Sequence, residues 1–97
     1  MKHELKILPV YFDAVMSGEK TFEIRDNRDR GFQKGDVVVF REYGPIPPSV
    51  YRYTGREIEK TITYVSNYEQ RTGWVVFSMQ GKHGRRRVNT KGSRNEF

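Results

Sequence analysis

The stretch GEKTFEIRDN, residues 18–27, concentrates side chains that could do chemistry. Five of its ten residues are charged: Glu19, Lys20, Glu23, Arg25 and Asp26. A glutamate in this setting could accept a hydrogen bond or act as a general base, and the lysine and arginine could hold an anionic or carbonyl oxygen. The mixture of acid and base on one segment therefore points to a small polar ligand.

The same stretch alternates apolar and polar residues, as a strand with one buried face does. Phe22 and Ile24 are expected to build the core, while Thr21, Glu23 and Arg25 face the other way and line an opening. A plainer interpretation is a solvent-facing strand with an exposed salt bridge, which contributes only ~0–1 kcal/mol. Spacing alone leaves both interpretations open.

Periodicity and turn residues predict the elements that must position this strand. Pro9 suits the first position of a helix and Gly18 suits a left-handed C-cap, so a helix is expected over 9–17. Prolines within 44–55 predict a long loop, because proline cannot pair in a central strand. The expected strands are a short first one around Leu5 and Ile7, then 21–25, 37–43, 57–65 and 74–79. The fold class is therefore α+β or mainly β, a small β-barrel of about five strands with one short N-terminal helix.

Length and composition bound the function. Ninety-seven residues make one domain, expected over 1–80 and followed by a basic tail over 81–97. The absence of cysteine excludes disulfides, thiolate metal sites and thiol nucleophiles, and two histidines are too few for a histidine metal cluster. We therefore expect no metal and no cofactor. No apolar run approaches the ~20 residues of a membrane span, and no secretory signal is evident. A cytoplasmic protein, monomeric in the simplest case, is expected.

The net charge of +6 lies mostly in the tail. Residues 1–80 hold 12 Lys and Arg against 11 Asp and Glu, whereas residues 81–97 hold six cations against Glu96. A basic, flexible tail would add salt-dependent, sequence-independent attraction to phosphates, or it would only keep the protein in solution. The tail cations assigned to nucleic-acid contacts are Lys82, Arg85, Arg86 and Arg87.

Three further polar side chains are candidates for the site. His3, on the first strand, could carry or donate a proton at the cleft, or it is an ordinary, partly exposed strand histidine. Arg28 and Arg30 follow the charged strand and could contact phosphate, or they belong to a solvated loop. We assign His3 to ligand binding and the two arginines to nucleic-acid binding.

Aromatic residues add a second kind of contact. Tyr51 and Tyr53 lie in the expected Pro-rich loop and could stack a base, which is worth ~1–3 kcal/mol. We include Tyr53 in the ligand-binding set. Trp74 begins a strand and is expected to pack in the core.

The charged strand resembles a known family motif. Gly18-Glu19-Lys20-Thr21-Phe22-Glu23-Ile24-Arg25 is similar to the G-x-K-x-x-E-x-R motif of ASCH domains, which belong to the PUA-like superfamily of β-barrels. The turn at Gly35-Asp36 and the strand after it resemble the same family, and the likeness covers roughly residues 3–80. The resemblance implies a PUA-like barrel that binds RNA, a nucleotide or a modified nucleoside in a cleft lined by Lys20, Glu23 and Arg25.

The resemblance also carries an enzymatic alternative. One ASCH branch is similar to amidohydrolases that remove the acetyl group from N4-acetylcytidine with a lysine, a threonine and a glutamate. The lysine matches Lys20, but Glu23 occupies the threonine position, so a binding module is favoured over a hydrolase. If the protein is an enzyme, Lys20 and Glu23 are its catalytic candidates. The chain also resembles short ASCH-like proteins of bacteria and phages, which leaves a phage accessory protein that binds a host protein as another hypothesis.

Overall fold

Six strands and one helix form within residues 1–46, 50–81 and, for the backbone only, 85–86, which are the parts of the chain that the computed structural model describes. Their bounds are β1 Lys2–Ile7, α1 Pro9–Ser17, β2 Phe22–Asp26, β3 Val37–Ile46, β4 Val50–Ser66, β5 Trp74–Gly81 and β6 Arg85–Arg86. The predicted mainly β fold with one short N-terminal helix is confirmed. Among these residues no helix is long and apolar enough to cross a membrane.

The five longer strands form one sheet in the order β1-β3-β4-β5-β2, and β6 adds to one side of β4. β1 is parallel to β3, and the other pairs are antiparallel. The two outermost strands do not pair with each other, so the sheet is not closed by backbone hydrogen bonds within the described residues. They nevertheless approach each other, because side chains from β2 and the loop after it reach carbonyls of β1.

The helix α1 has the bounds that its capping residues predict. Pro9 occupies its first turn, and Gly18 ends it in the left-handed conformation, with its N–H donating to the Val15 carbonyl at 3.2 Å. Phe12 and Val15 are fully buried and pack the helix on the sheet. The fully buried side chains of the core are Phe12, Phe40, Phe77, Ile58, Ile62, Val15 and Val38.

The expected long loop over 44–55 is wrong. β3 and β4 instead form a long hairpin in which Pro45 pairs with Tyr51 and Ile46 pairs with Val50. The proline is tolerated because β1 covers β3 only as far as Glu42, so Pro45 lies on an edge segment with an open side. Residues 47–49 lie outside the described part of the chain.

The two faces of β2 are the reverse of the expectation. Glu23 is only 6% exposed, whereas Phe22 and Ile24 are 45% and 48% exposed. The register explains this, because Glu23 lies directly opposite Phe77, which points into the core, and directly opposite residues share a face of the sheet. The charged half of β2 therefore points inward and the apolar half points outward.

Candidate functional site

The motif residues of β2 form a compact ionic cluster around a buried carboxylate. The Lys20 ammonium pairs with Glu23 Oε1 and also donates to the Phe22 carbonyl at 2.6 Å. Arg25 donates to Glu23 Oε2 from Nε at 3.2 Å and from Nη2 at 2.8 Å. Each carboxylate oxygen of Glu23 therefore has its own cation, which is how a protein tolerates a charge removed from water. The three motif residues thus lie together, and their predicted role in ligand binding stays a prediction.

Two arginines connect the outermost strands of the sheet. Arg25 Nη2 also donates to the Lys6 carbonyl of β1 at 3.1 Å. Arg30, in the loop after β2, donates from Nη1 to the Glu4 carbonyl at 3.4 Å. These carbonyls lie two residues apart on the free edge of β1, so the guanidinium groups act in place of a backbone ladder. Glu23 positions the Arg25 guanidinium, because its carboxylate holds Arg25 in the conformation that reaches β1.

A cavity opens where β1 and β2 approach each other. Its volume of about 340 Å³ is near the lower end of the size range of small-molecule sites. Its lining combines apolar, cationic and acidic side chains: Leu5, Arg25, Asp26, Asp29, Arg30, Phe32 and Trp74. Of the motif's three charged residues, Arg25 is part of this lining and Lys20 and Glu23 are not. Trp74 is only partly buried and lines the cavity, so its expected place in the core is corrected.

The loop that follows β2 is held in place by one asparagine. The Asn27 side-chain oxygen accepts from the Phe32 N–H at 2.7 Å, and the Asn27 N–H donates to the Gly73 carbonyl at 2.8 Å, just before β5. These bonds bring Asp29, Arg30 and Phe32 to the cavity. Sequence reasoning missed Asp29 and Phe32, although an isolated phenylalanine in a charged loop is a signal that the loop folds back on the core.

Asp26, one of the two carboxylates of the lining, is held by its neighbour Arg28. Arg28 donates to Asp26 Oδ1 from its side-chain Nε at 2.9 Å and from its backbone N–H at 3.0 Å, and its Nη2 contacts Oδ2. These hydrogen bonds lower the pKa of Asp26 to about 2. Arg28 therefore acts on the cavity indirectly, through Asp26, whereas Arg30 lines it.

His3 is buried rather than partly exposed. Its side chain is 3% exposed, its Nε2 lies 2.8 Å from Asp36 Oδ2, and its ring packs on Phe32 with the centroids 4.6 Å apart. The hydrogen bond from His3 lowers the pKa of Asp36. His3 is not part of the cavity lining, but its ring packs against Phe32, which is.

A second buried carboxylate, which sequence reasoning missed, fixes the helix to the sheet. Glu42 Oε1 accepts from Thr54 Oγ1 at 2.6 Å and from Arg56 Nε at 2.9 Å. The same guanidinium bonds Asp13 of α1 at 2.8 Å and lies over the ring of Phe12, 4.6 Å from its centroid. The carboxylates raise the pKa of Arg56 further above its ordinary value. These contacts link α1 to the β3–β4 hairpin, which gives the cluster a structural role.

Tyr53 lies on the outer face of the β3–β4 hairpin, away from the cavity. Its ring packs on Tyr43, with the centroids 5.0 Å apart, and the Arg41 guanidinium lies 3.8 Å from its centroid. The predicted tail contacts stay predictions. Arg85 and Arg86 pair through their backbone with Glu57 and Arg56 of β4, while Lys82 and Arg87 fall outside the described residues.

Comparison with known proteins places the chain in a family. Residues 2–79 match the family described as "Domain of unknown function (DUF3850)". Over 65 residues, the chain is 37% identical to the "Uncharacterized 12.9 kDa protein in GpA 3'region" of Escherichia phage P2. That match covers 67% of this chain and 54% of the phage protein, so the chain spans about half the length of this relative. The charged strand, the loop after it and the cavity all lie inside the matched range, and the chain belongs to the DUF3850 family.

Proposed function

We propose that this chain is an RNA- or nucleotide-binding module of the PUA-like, ASCH type, and that the cavity between β1 and β2 receives a base. The observation that carries the proposal is the composition of the cavity wall. Trp74 offers a partly exposed ring, Arg25 and Arg30 offer cations, Asp29 is a carboxylate, and the buried Phe32 adds an apolar wall. A base needs this combination of a stacking surface with polar groups at its edge.

The chemistry of the rim supports a nucleotide rather than a simple anion. Two arginines suit phosphate, but Asp26 and Asp29 on the same wall would repel it. Carboxylates instead accept hydrogen bonds from the amino and imino groups of bases. Asp29 makes no hydrogen bond with the described residues, and its oxygens can accept from such donors. The wall therefore offers acceptors for the edge of a base and cations for its phosphate.

Trp74 provides a direct assay, because it is the only tryptophan of the chain and lines the cavity. A base that stacks on it should quench its fluorescence. Titrations with nucleosides, modified nucleosides, nucleotides and short RNAs would be followed by tryptophan emission and by native mass spectrometry. Arg30→Gln should weaken the binding of phosphate-bearing ligands, whereas Lys34→Gln, which removes the same charge from an exposed turn, should not. If no ligand of the panel changes the emission or stays bound, the proposal is wrong.

The hydrolase hypothesis is the weaker one. Both oxygens of Glu23 are already engaged by cations, so a water molecule would have to compete with Lys20 and Arg25 for them. Lys20 and Glu23 also lie outside the cavity lining. A reaction product that appears with wild-type protein and disappears with Lys20→Ala would favour the hydrolase hypothesis over the binding module. Because the chain is similar to a phage protein, binding to a host protein is a third hypothesis. It is favoured if the protein neither binds nor converts any ligand of the panel.

A further inference from the structure

Three tyrosines and two cations form a continuous array on the outer face of β1, β3 and β4. We call this array the tyrosine face, and its members are Lys6, Arg41, Tyr43, Tyr51 and Tyr53. Tyr43 packs on Tyr53 and on Tyr51, with ring centroids 5.0 Å and 6.1 Å apart. Arg41 lies over the ring of Tyr53 at 3.8 Å, and the Lys6 ammonium lies over Tyr43 at 4.6 Å.

The outer rings of this array are open to solvent. Tyr51 is 58% exposed and Tyr53 is 40% exposed, although both belong to a regular hairpin rather than a loop. Contacts between neighbouring rings and cations hold these side chains in place, so little conformational entropy is lost when something stacks on them.

The tyrosine face is contiguous with the cavity through β1. The Lys6 carbonyl accepts from Arg25 of the cavity wall, and the Lys6 ammonium lies over Tyr43. The Glu4 carbonyl accepts from Arg30, and the Glu4 carboxylate pairs with Arg41 at 3.7 Å. Two residues of one strand thus contact both surfaces. Neighbouring strands lie about 4.8 Å apart, and the tyrosines of β3 and β4 begin just past Glu42, the last residue of β3 that β1 pairs with.

We propose that the tyrosine face binds the nucleotides next to the one in the cavity, so that the protein holds a single-stranded RNA across β1, β3 and β4. This inference rests on the proposed nucleic-acid function of the cavity. Exposed rings give sequence-tolerant stacking, and Lys6 and Arg41 offer charge to the backbone phosphates. A polyanion fits better than an apolar protein surface, because an apolar partner would have to remove the Lys6 ammonium and the Arg41–Glu4 ion pair from water.

The test compares short and long ligands. Binding of the four nucleoside 5′-monophosphates, followed by Trp74 emission, reports on the cavity, and a fluorescein-labelled RNA octamer containing all four bases reports on both surfaces. Tyr51→Ala and Tyr53→Ala should each weaken octamer binding roughly five- to a hundred-fold and leave monophosphate binding within two-fold. Arg41→Gln should reduce the slope of log affinity against log salt for the octamer by about 0.7.

Tyr64→Ala is the matched control. Tyr64 lies on the same strand and is 64% exposed, but no cation of the described residues lies over its ring. Circular dichroism and thermal melting would verify that each variant is folded. If Tyr53→Ala does not fold, Tyr51→Ala alone still tests the inference.

Two outcomes would overturn the inference in different ways. If the tyrosine variants bind the octamer like wild type while Arg30→Gln binds it more weakly, the tyrosine face has no role and the cavity proposal stands. If wild type binds neither the monophosphates nor the octamer, the proposed function fails and the inference fails with it.

Discussion

Replacing Glu23 with glutamine should destabilise the protein strongly, although this position has the sequence signature of a surface charge. Its carboxylate is 8% exposed and neutralises Lys20 and Arg25, whose side chains are 19% and 27% exposed. Removing one partner of a buried ion pair costs about 3–5 kcal/mol. Both cations here retain some access to water, so we expect a loss of about 2–3 kcal/mol in the free energy of unfolding.

The loss is measurable by urea denaturation and by thermal melting. For a domain of this size it corresponds to a fall in Tm of ~10–20 °C. Glu19→Gln is the matched control, since Glu19 lies in the same motif but is exposed, and it should change the free energy of unfolding by less than ~0.5 kcal/mol. Ligand binding should also weaken in Glu23→Gln, because Arg25 loses the partner that holds it against the Lys6 carbonyl.

The reasoning is refuted if Glu23→Gln and Glu19→Gln unfold at the same urea concentration. A double-mutant cycle with Arg25→Gln sharpens the test. If the two side chains form one unit, their combined cost should be at least 0.5 kcal/mol less than the sum of the single losses. Additive losses would mean that Glu23 and Arg25 act independently and that the carboxylate does not position the arginine.

Three further predictions follow from the described contacts. In Arg28→Gln, the pKa of Asp26 should return from about 2 toward its ordinary 3.8 in a carboxyl NMR titration. Because this pKa is depressed in the folded state, the contribution of Asp26 to stability is complete above about pH 4 and is lost as the pH falls toward 2. The variant should therefore lose less stability than wild type between pH 4 and pH 2. Arg56→Lys should lower the free energy of unfolding, measured in urea, by about 2–3 kcal/mol, since lysine cannot reproduce the forked hydrogen bonds of arginine. Asp13→Asn, at the exposed end of the cluster, should cost less than ~1 kcal/mol. Equal losses would contradict a structural role for the buried Glu42–Arg56 pair. Ile24→Thr should cost less than ~1 kcal/mol in the same assay, and a loss of several kcal/mol would mean that this side of β2 is buried after all.

Local sequence signals determined most of the elements. Pro9 and Gly18 place the ends of α1, because one preorganises a first helical turn and the other adopts the left-handed conformation at its end. Alternation placed β2 and β5 to within two residues, and the charged residues that the motif singles out, Lys20, Glu23 and Arg25, contact one another. These outcomes depend on interactions between residues close in the chain, which a sequence reports directly.

Tertiary structure decided which way those elements face. Alternation in β2 predicts two faces but does not say which is buried, and the pairing of Glu23 with Phe77, more than fifty residues later, turned the charged face inward. The same holds for Pro45, which is tolerated in a strand only because β1 ends at Ile7 and leaves an open edge. The cavity depends on the approach of β1 and β2, which lie at opposite ends of the sheet order. A sequence encodes period and local conformation, whereas the inward side of a strand is set by distant partners whose burial gain outweighs local preference.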